Sequence, residues 1–128
     1  MKIEHIGLGY NSEEGADKFF LTLLGLKKIR SKSVSSELIK AFFGVKGEYK
    51  FVQYEGNEVN FEVFITNDKS SVKDVFTHSC LLVENRDDFL SKSSSMGYDI
   101  VKVPRDESNS YYLFIKDKFG NLYEIKEK

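Results

Sequence analysis

Residues 5–29 read HIGLGYNSEEGADKFFLTLLGLKKI, and residues 78–103 read HSCLLVENRDDFLSKSSSMGYDIVKV. Each stretch opens on a histidine, continues as a short apolar strand, passes a polar turn and enters a helical segment that stops at a glycine. Gly25 follows the first histidine by 20 residues, and Gly97 follows the second by 19. Glycine suits the left-handed position that ends a helix, so both stretches predict strand, helix and strand in the same order. The chain therefore contains an internal repeat.

Further strands are predicted after each stretch by segments rich in β-branched and aromatic residues. These segments are 26–33, 49–54 and 59–65 in the first half, and 99–103, 111–116 and 121–126 in the second. Residues 35–43 predict a short serine-capped helix that has no counterpart in the second half. The predicted fold class is α+β, with two tandem βαβββ modules in one domain spanning 1–128. Module 1 covers about 1–66, module 2 covers about 76–128, and the polar segment 66–75 is the linker.

Composition and charge exclude several classes of protein. The 19 basic and 20 acidic residues leave a net charge of -1, which argues against a nucleic-acid partner. No apolar run approaches the roughly 20 residues that cross a bilayer, and the first residues lack the features of a signal peptide. A cytoplasmic protein is therefore expected. The single cysteine, Cys80, excludes an internal disulfide.

Four side chains at equivalent places in the two modules are candidate metal ligands. His5 and His78 open the first strands, and Glu62 and Glu124 lie on the last strands. Because side chains alternate along a strand, apolar neighbours such as Phe61 on either side of each glutamate send the carboxylate to the opposite face. The same alternation leaves the histidines on that face. If the two sheets curve into a half-barrel, that face lines its cavity.

Two imidazoles and two carboxylates suit Zn, Ni, Co, Fe or Mn better than Ca or Mg. Four protein ligands on a six-coordinate ion leave two adjacent places for water or a bidentate substrate. A lone histidine on a strand is more often a packing residue, and a strand glutamate is usually solvated. The metal hypothesis depends on the coincidence that the only two histidines both open a module. Cys80 shares strand parity with His78, but a buried structural thiol is the favoured interpretation.

The sequence resembles the vicinal-oxygen-chelate superfamily, which includes glyoxalases, bleomycin resistance proteins and extradiol dioxygenases, over essentially its full length. Residues 4–29, THSCLLV at 77–83 and FIKDKFGNLYEI at 114–125 carry the resemblance. Within the superfamily, the order His, Glu, His, Glu is most similar to metal-dependent glyoxalase I.

This resemblance implies a lyase or isomerase of the lactoylglutathione lyase type that moves a proton through a metal-stabilised enediolate. Its metal ligands would be His5, Glu62, His78 and Glu124, with Glu124 or Glu62 as the base. Ni, Zn or Co is the expected ion, with Fe or Mn as alternatives. The resemblance also implies a small-molecule substrate with vicinal oxygens and a homodimer, whereas the lack of a spanning apolar run argues against a membrane partner.

One departure from the glyoxalase I pattern is Gly9, where similar enzymes carry an arginine that holds the glutathione carboxylate. It argues against a glutathione hemithioacetal substrate. The alternative functions are a non-catalytic small-molecule binding protein of the bleomycin-resistance type, an epimerase and a dioxygenase. Phe64 and Phe114 are candidates for the wall of a pocket that takes an apolar part of the ligand.

Overall fold

The computed structural model describes residues 3–67, 76–105 and 109–128. The chain divides into two compact units, Met1–Lys69 and Ser70–Lys128. The division falls inside the predicted linker at 66–75, most of which lies outside the described residues. None of the described helices is long and apolar enough to cross a membrane.

The first unit contains one four-stranded mixed sheet. Its strands are β1 (Ile6–Tyr10), β2 (Lys27–Val34), β3 (Tyr49–Glu55) and β4 (Asn60–Ile65). Their spatial order is β1-β4-β3-β2, with β1 parallel to β4 and the other pairs antiparallel. The parallel pair joins the first and last strands of the module, so residues from its two ends become neighbours.

The first helix is α1 (Glu13–Asp17), which continues as a π-helical segment (Lys18–Leu23). In the second part of this helix the turn is wider, since the amide of Leu24 donates to the carbonyl of Phe19, five residues earlier, at 3.0 Å. Two adjacent rings of this segment, Phe19 and Phe20, are fully buried. Phe20 stacks on Tyr54 at 4.8 Å and forms the centre of this core.

The inserted helix is α2 (Ser36–Phe43), as the sequence predicts. The hydroxyl of Ser35 accepts from the amide of Leu38, and Gly44 ends the helix at a φ of 71°. Both features satisfy backbone groups that a helix end leaves without intrahelical partners.

The second unit repeats the pattern without an inserted helix among its described residues. Its elements are β5 (His78–Val83), α3 (Arg86–Ser95), β6 (Asp99–Pro104), β7 (Tyr111–Lys116) and β8 (Leu122–Glu127). The strand order β5-β8-β7-β6 matches the first sheet, again with a parallel pair of first and last strands. The predicted α+β fold of two βαβββ modules is confirmed.

A buried turn leads into β8. The carboxylate of Asp117 accepts hydrogen bonds from the amides of Phe119 and Asn121 at 3.0 and 2.9 Å. It also accepts from the side-chain amide of Asn121 at 2.9 Å and the hydroxyl of Tyr123 at 3.1 Å. Gly120 completes the turn at a φ of 96°. Burial raises the pKa of Asp117, and the hydrogen bonds oppose that rise.

Candidate metal centre

The first donor pair lies on the parallel strands of the first sheet. His5 immediately precedes β1, and Glu62 lies in the middle of β4, paired in register with Gly7. The imidazole Nδ1 of His5 is 3.3 Å from Oε2 of Glu62. Phe61 and Val63, on either side of Glu62, are fully buried. The strand alternation predicted for Glu62 is therefore confirmed, and its carboxylate lies on the face opposite this core.

The second donor pair lies at the corresponding place in the second sheet. His78 begins β5, and Glu124 lies on β8, paired in register with Cys80. Nε2 of His78 is 3.7 Å from Oε2 of Glu124. Tyr123 and Ile125 are fully buried, so Glu124 also lies on the face away from its core.

The register shows how closely the two units correspond. In each sheet the glutamate pairs with the residue two positions after the histidine, Gly7 after His5 and Cys80 after His78. The repeat in the sequence thus becomes a repeat in three dimensions, and each unit positions one imidazole nitrogen beside one carboxylate. The two pairs differ in the imidazole nitrogen nearest the glutamate, which is Nδ1 in His5 and Nε2 in His78.

A backbone carbonyl fixes the tautomer of His78. Its Nδ1 lies 2.9 Å from the carbonyl oxygen of Phe76. Because a carbonyl only accepts, Nδ1 must carry the hydrogen, and a neutral ring then has its lone pair on Nε2, on the side of Glu124. Metal-binding histidines are commonly oriented by a hydrogen bond of this kind on their other nitrogen.

The donors are grouped in twos. Among the residues that the structure describes, no group of three or more His, Cys, Asp or Glu side chains is placed to hold a metal ion. The structure thus brings His5 to Glu62 and His78 to Glu124, and each pair belongs to its own unit. Imidazole nitrogen with carboxylate oxygen is a donor set that fits a divalent transition metal. The histidines are 41% and 39% exposed and the glutamates 26% and 17%, so solvent or a ligand can reach them.

Cys80 is exposed, so the favoured interpretation of a buried structural thiol is wrong. Cys80 pairs in register with Glu124, so the two side chains lie on the same face of the sheet. The helix α3 packs against β6 and β8. Partial desolvation raises the pKa of the Cys80 thiol, and the Glu124 carboxylate raises it further. The thiol therefore stays protonated near neutral pH, which disfavours a role as nucleophile.

The structure adds one charged residue that the sequence argument missed. Nζ of Lys126 lies 3.8 Å from Oε1 of Glu124. Residues 124 and 126 share strand parity, so the alternation rule that selected Glu124 could also have identified this lysine. The carbonyl of Phe76 carried no comparable signal, because a backbone contact leaves no mark on residue type.

Comparison with known proteins places the fold. No family model and no curated protein matches the sequence. Among solved structures, a glyoxalase family protein from Bacillus cereus is 17% identical, with a TM-score of 0.77 over 99% of this chain and 93% of that one. The fosfomycin resistance protein FosX from Listeria monocytogenes, complexed with Mn(II) and sulfate, is 12% identical, with a TM-score of 0.71 over 98% and 91%.

A third similar structure is the trypanothione-dependent glyoxalase I of Leishmania major. It is 16% identical, with a TM-score of 0.70 over 99% of this chain and 86% of that one. At this level of identity the likeness concerns the fold. The chain has the fold shared by these glyoxalase and FosX structures.

Proposed function

We propose that His5, Glu62, His78 and Glu124 together bind one divalent metal ion, and that the protein is a metal-dependent lyase or isomerase related to glyoxalase I. The observation that carries the proposal is the equivalence of the two donor pairs, each with its glutamate paired to the residue two positions after its histidine. A structural or solvated role for these residues would not require the same register in both units. Similar folds that include a Mn(II) complex and a glyoxalase I support it further.

The chemistry would use a substrate with two vicinal oxygens. A bound divalent ion supplies Lewis-acid stabilisation of the negative charge that develops on those oxygens as a proton leaves carbon. Glu124 or Glu62 takes and returns this proton as general base. The hydrogen bond from His78 Nδ1 to the carbonyl of Phe76 holds the imidazole in the tautomer that binds metal through Nε2. A homodimer in solution belongs to the same proposal, as does Ni, Zn or Co as the ion.

Metal binding tests the proposal first. Purified protein, stripped with chelator, is titrated with Ni, Co or Zn near neutral pH by calorimetry, and the bound metal is counted by elemental analysis. We expect about one ion per chain, and loss of the whole signal in both His5→Ala and His78→Ala. Cys80→Ser is the matched control and should bind normally. Two ions per chain, with each histidine variant losing only one, would show that the pairs act separately and would refute the shared site.

Proton transfer tests the catalytic part. The metal-loaded protein is incubated in D₂O with small α-hydroxyketones such as hydroxyacetone and 2-hydroxyacetophenone, and deuterium at the α-carbon is followed by NMR. Glu124→Gln or Glu62→Gln should keep the fold, checked by circular dichroism, and lose most of the exchange. Full exchange in both variants would exclude these carboxylates as the base.

A second candidate is a non-catalytic protein that binds a small apolar molecule. It is favoured by a cavity in the first unit whose lining is mostly apolar. This candidate predicts ligand binding that a chelator leaves unchanged and no metal-dependent proton exchange.

A further inference from the structure

An apolar cavity of about 310 Å³ lies within the first unit, beside the strand that carries Glu62. Its lining includes Gly7, Gly9, Ile39, Phe43, Tyr49 and Phe64. Gly7 pairs in register with Glu62, and Gly9 pairs with Phe64, two residues further along β4. Because residues two apart share a strand face, the cavity lies on the Glu62 side of the sheet.

The inserted helix α2 forms the roof of this cavity. Ile39 of α2 is only 1% exposed, and the ring of Phe43 lies 5.0 Å from that of Phe64. Phe51 contacts the same ring at 5.4 Å and is buried, although it lies on the face opposite the Phe20 core. The insertion that lengthens the first module in sequence therefore shields part of the face on which Glu62 lies.

Two glycines leave the interior of the cavity open. A Cβ added at Gly7 would meet no atom within 4 Å, and its backbone is not in the left-handed region. Gly9 contributes only backbone to the lining where an arginine would place a cation. None of the described residues that line the cavity carries a charge. An anionic group would therefore lose its hydration there without gaining an oppositely charged partner.

We infer that this cavity receives an uncharged apolar group of the substrate, an aromatic ring or short alkyl chain attached to the carbons that bear the vicinal oxygens. This inference rests on the proposed function, because it assigns the neighbouring Glu62 to the metal centre. The volume is roughly twice the ~150 Å³ of an apolar cavity that binds benzene, so a substituted ring or a chain of several carbons fits. The same lining excludes an anionic peptide portion.

The first experiment tests the cavity without metal. Metal-free protein is titrated with toluene and butylbenzene, and with benzoate as the charged comparison, while amide resonances of Gly7, Gly9 and Phe64 are followed by NMR. We expect saturable shifts with the neutral probes and none with benzoate. Gly7→Leu should fill the cavity and weaken butylbenzene binding at least tenfold. Absence of shifts at these residues, or equal binding to Gly7→Leu, would overturn the inference.

A matched pair of α2 variants keeps the test decisive if Gly7→Leu does not fold. Phe43 lines the cavity, whereas its neighbour Phe42 is 66% exposed and is not part of the lining. Phe43→Ala should weaken butylbenzene binding severalfold, and Phe42→Ala should leave it unchanged. Equal effects of the two substitutions would contradict a roof formed by α2.

The second experiment connects the cavity to the metal centre. Zn-loaded protein is titrated with acetohydroxamate, hexanohydroxamate and benzohydroxamate, which present the same vicinal oxygens with different apolar groups. Affinity should rise roughly fourfold per buried methylene, and this gain should disappear in Gly7→Leu. Binding of Zn and acetohydroxamate with no dependence on the apolar group would overturn the inference and leave the proposed function intact. Alkylbenzene binding by protein that takes up no metal would instead refute the metal centre and leave a free-standing apolar site.

Discussion

Removal of the Asp117 carboxylate tests whether the buried turn before β8 stabilises the strand that carries Glu124. Asp117 is 4% exposed and accepts four hydrogen bonds, two from backbone amides and two from the side chains of Asn121 and Tyr123. Asp117→Ala leaves these donors without their acceptor in a largely buried position. The turn then loses the interactions that hold the start of β8.

The expected cost follows from these contacts. A buried donor left unsatisfied costs about 1–3 kcal/mol. The four donors together set the upper limit of the cost, and water that enters the space left by the carboxylate lowers it by accepting their hydrogen bonds. Loss of the carboxylate also removes its desolvation penalty, the cause of its raised pKa. We therefore expect Asp117→Ala to lower the free energy of unfolding by about 2–4 kcal/mol. Asp117→Asn, which keeps an acceptor for the two backbone amides, should cost about half as much.

Urea denaturation at pH 7, followed by far-UV circular dichroism, measures these differences. Tyr123→Phe is the matched control, because it removes only one of the four bonds and should cost about 1 kcal/mol. A cost for Asp117→Ala of about 0.5 kcal/mol or less, the range of ordinary surface substitutions, would refute the reasoning. A Tyr123→Phe variant as unstable as Asp117→Ala would contradict the assumption that the loss of stability is shared among the four hydrogen bonds.

Three further predictions concern charge and capping. The hydrogen bond from Lys28 lowers the pKa of Glu13 to about 2, so its stabilisation is present above pH 4.5 and is lost as the pH falls towards 2. Glu13→Gln should therefore be less stable than the native chain in urea at pH 6, and this difference in stability should shrink steadily as the pH is lowered to 2. Lys126→Gln should tighten Zn binding about threefold to tenfold in calorimetry, because the 3.8 Å contact places a positive charge against Glu124. Ser35→Ala should lower the free energy of unfolding by about 1 kcal/mol, because it removes the N-cap of α2, and should also weaken butylbenzene binding. Unchanged butylbenzene binding would show that α2 covers the cavity without its cap.

The pattern of the sequence determined the elements of the fold. The six strands for which bounds were predicted have ends within one residue of those observed, because strand propensity and turn residues are local properties. Gly25 and Gly97 have φ values of 72° and 82°, as predicted for residues that end helices. The outward position of Glu62 and Glu124 followed from alternation alone, since each lies between buried apolar neighbours.

Tertiary structure decided what packs on each face and which backbone groups meet the donors. The sequence predicted α2 as a helix, yet only the fold places it over Phe64 to form a cavity beside Glu62. The exposure of Cys80 and the contact of His78 with the carbonyl of Phe76 likewise depend on the surrounding elements. The physical reason is the distance along the chain over which each kind of information acts. Periodicity reports the side of an element to which a residue points, whereas its surroundings are set by chain segments distant in sequence.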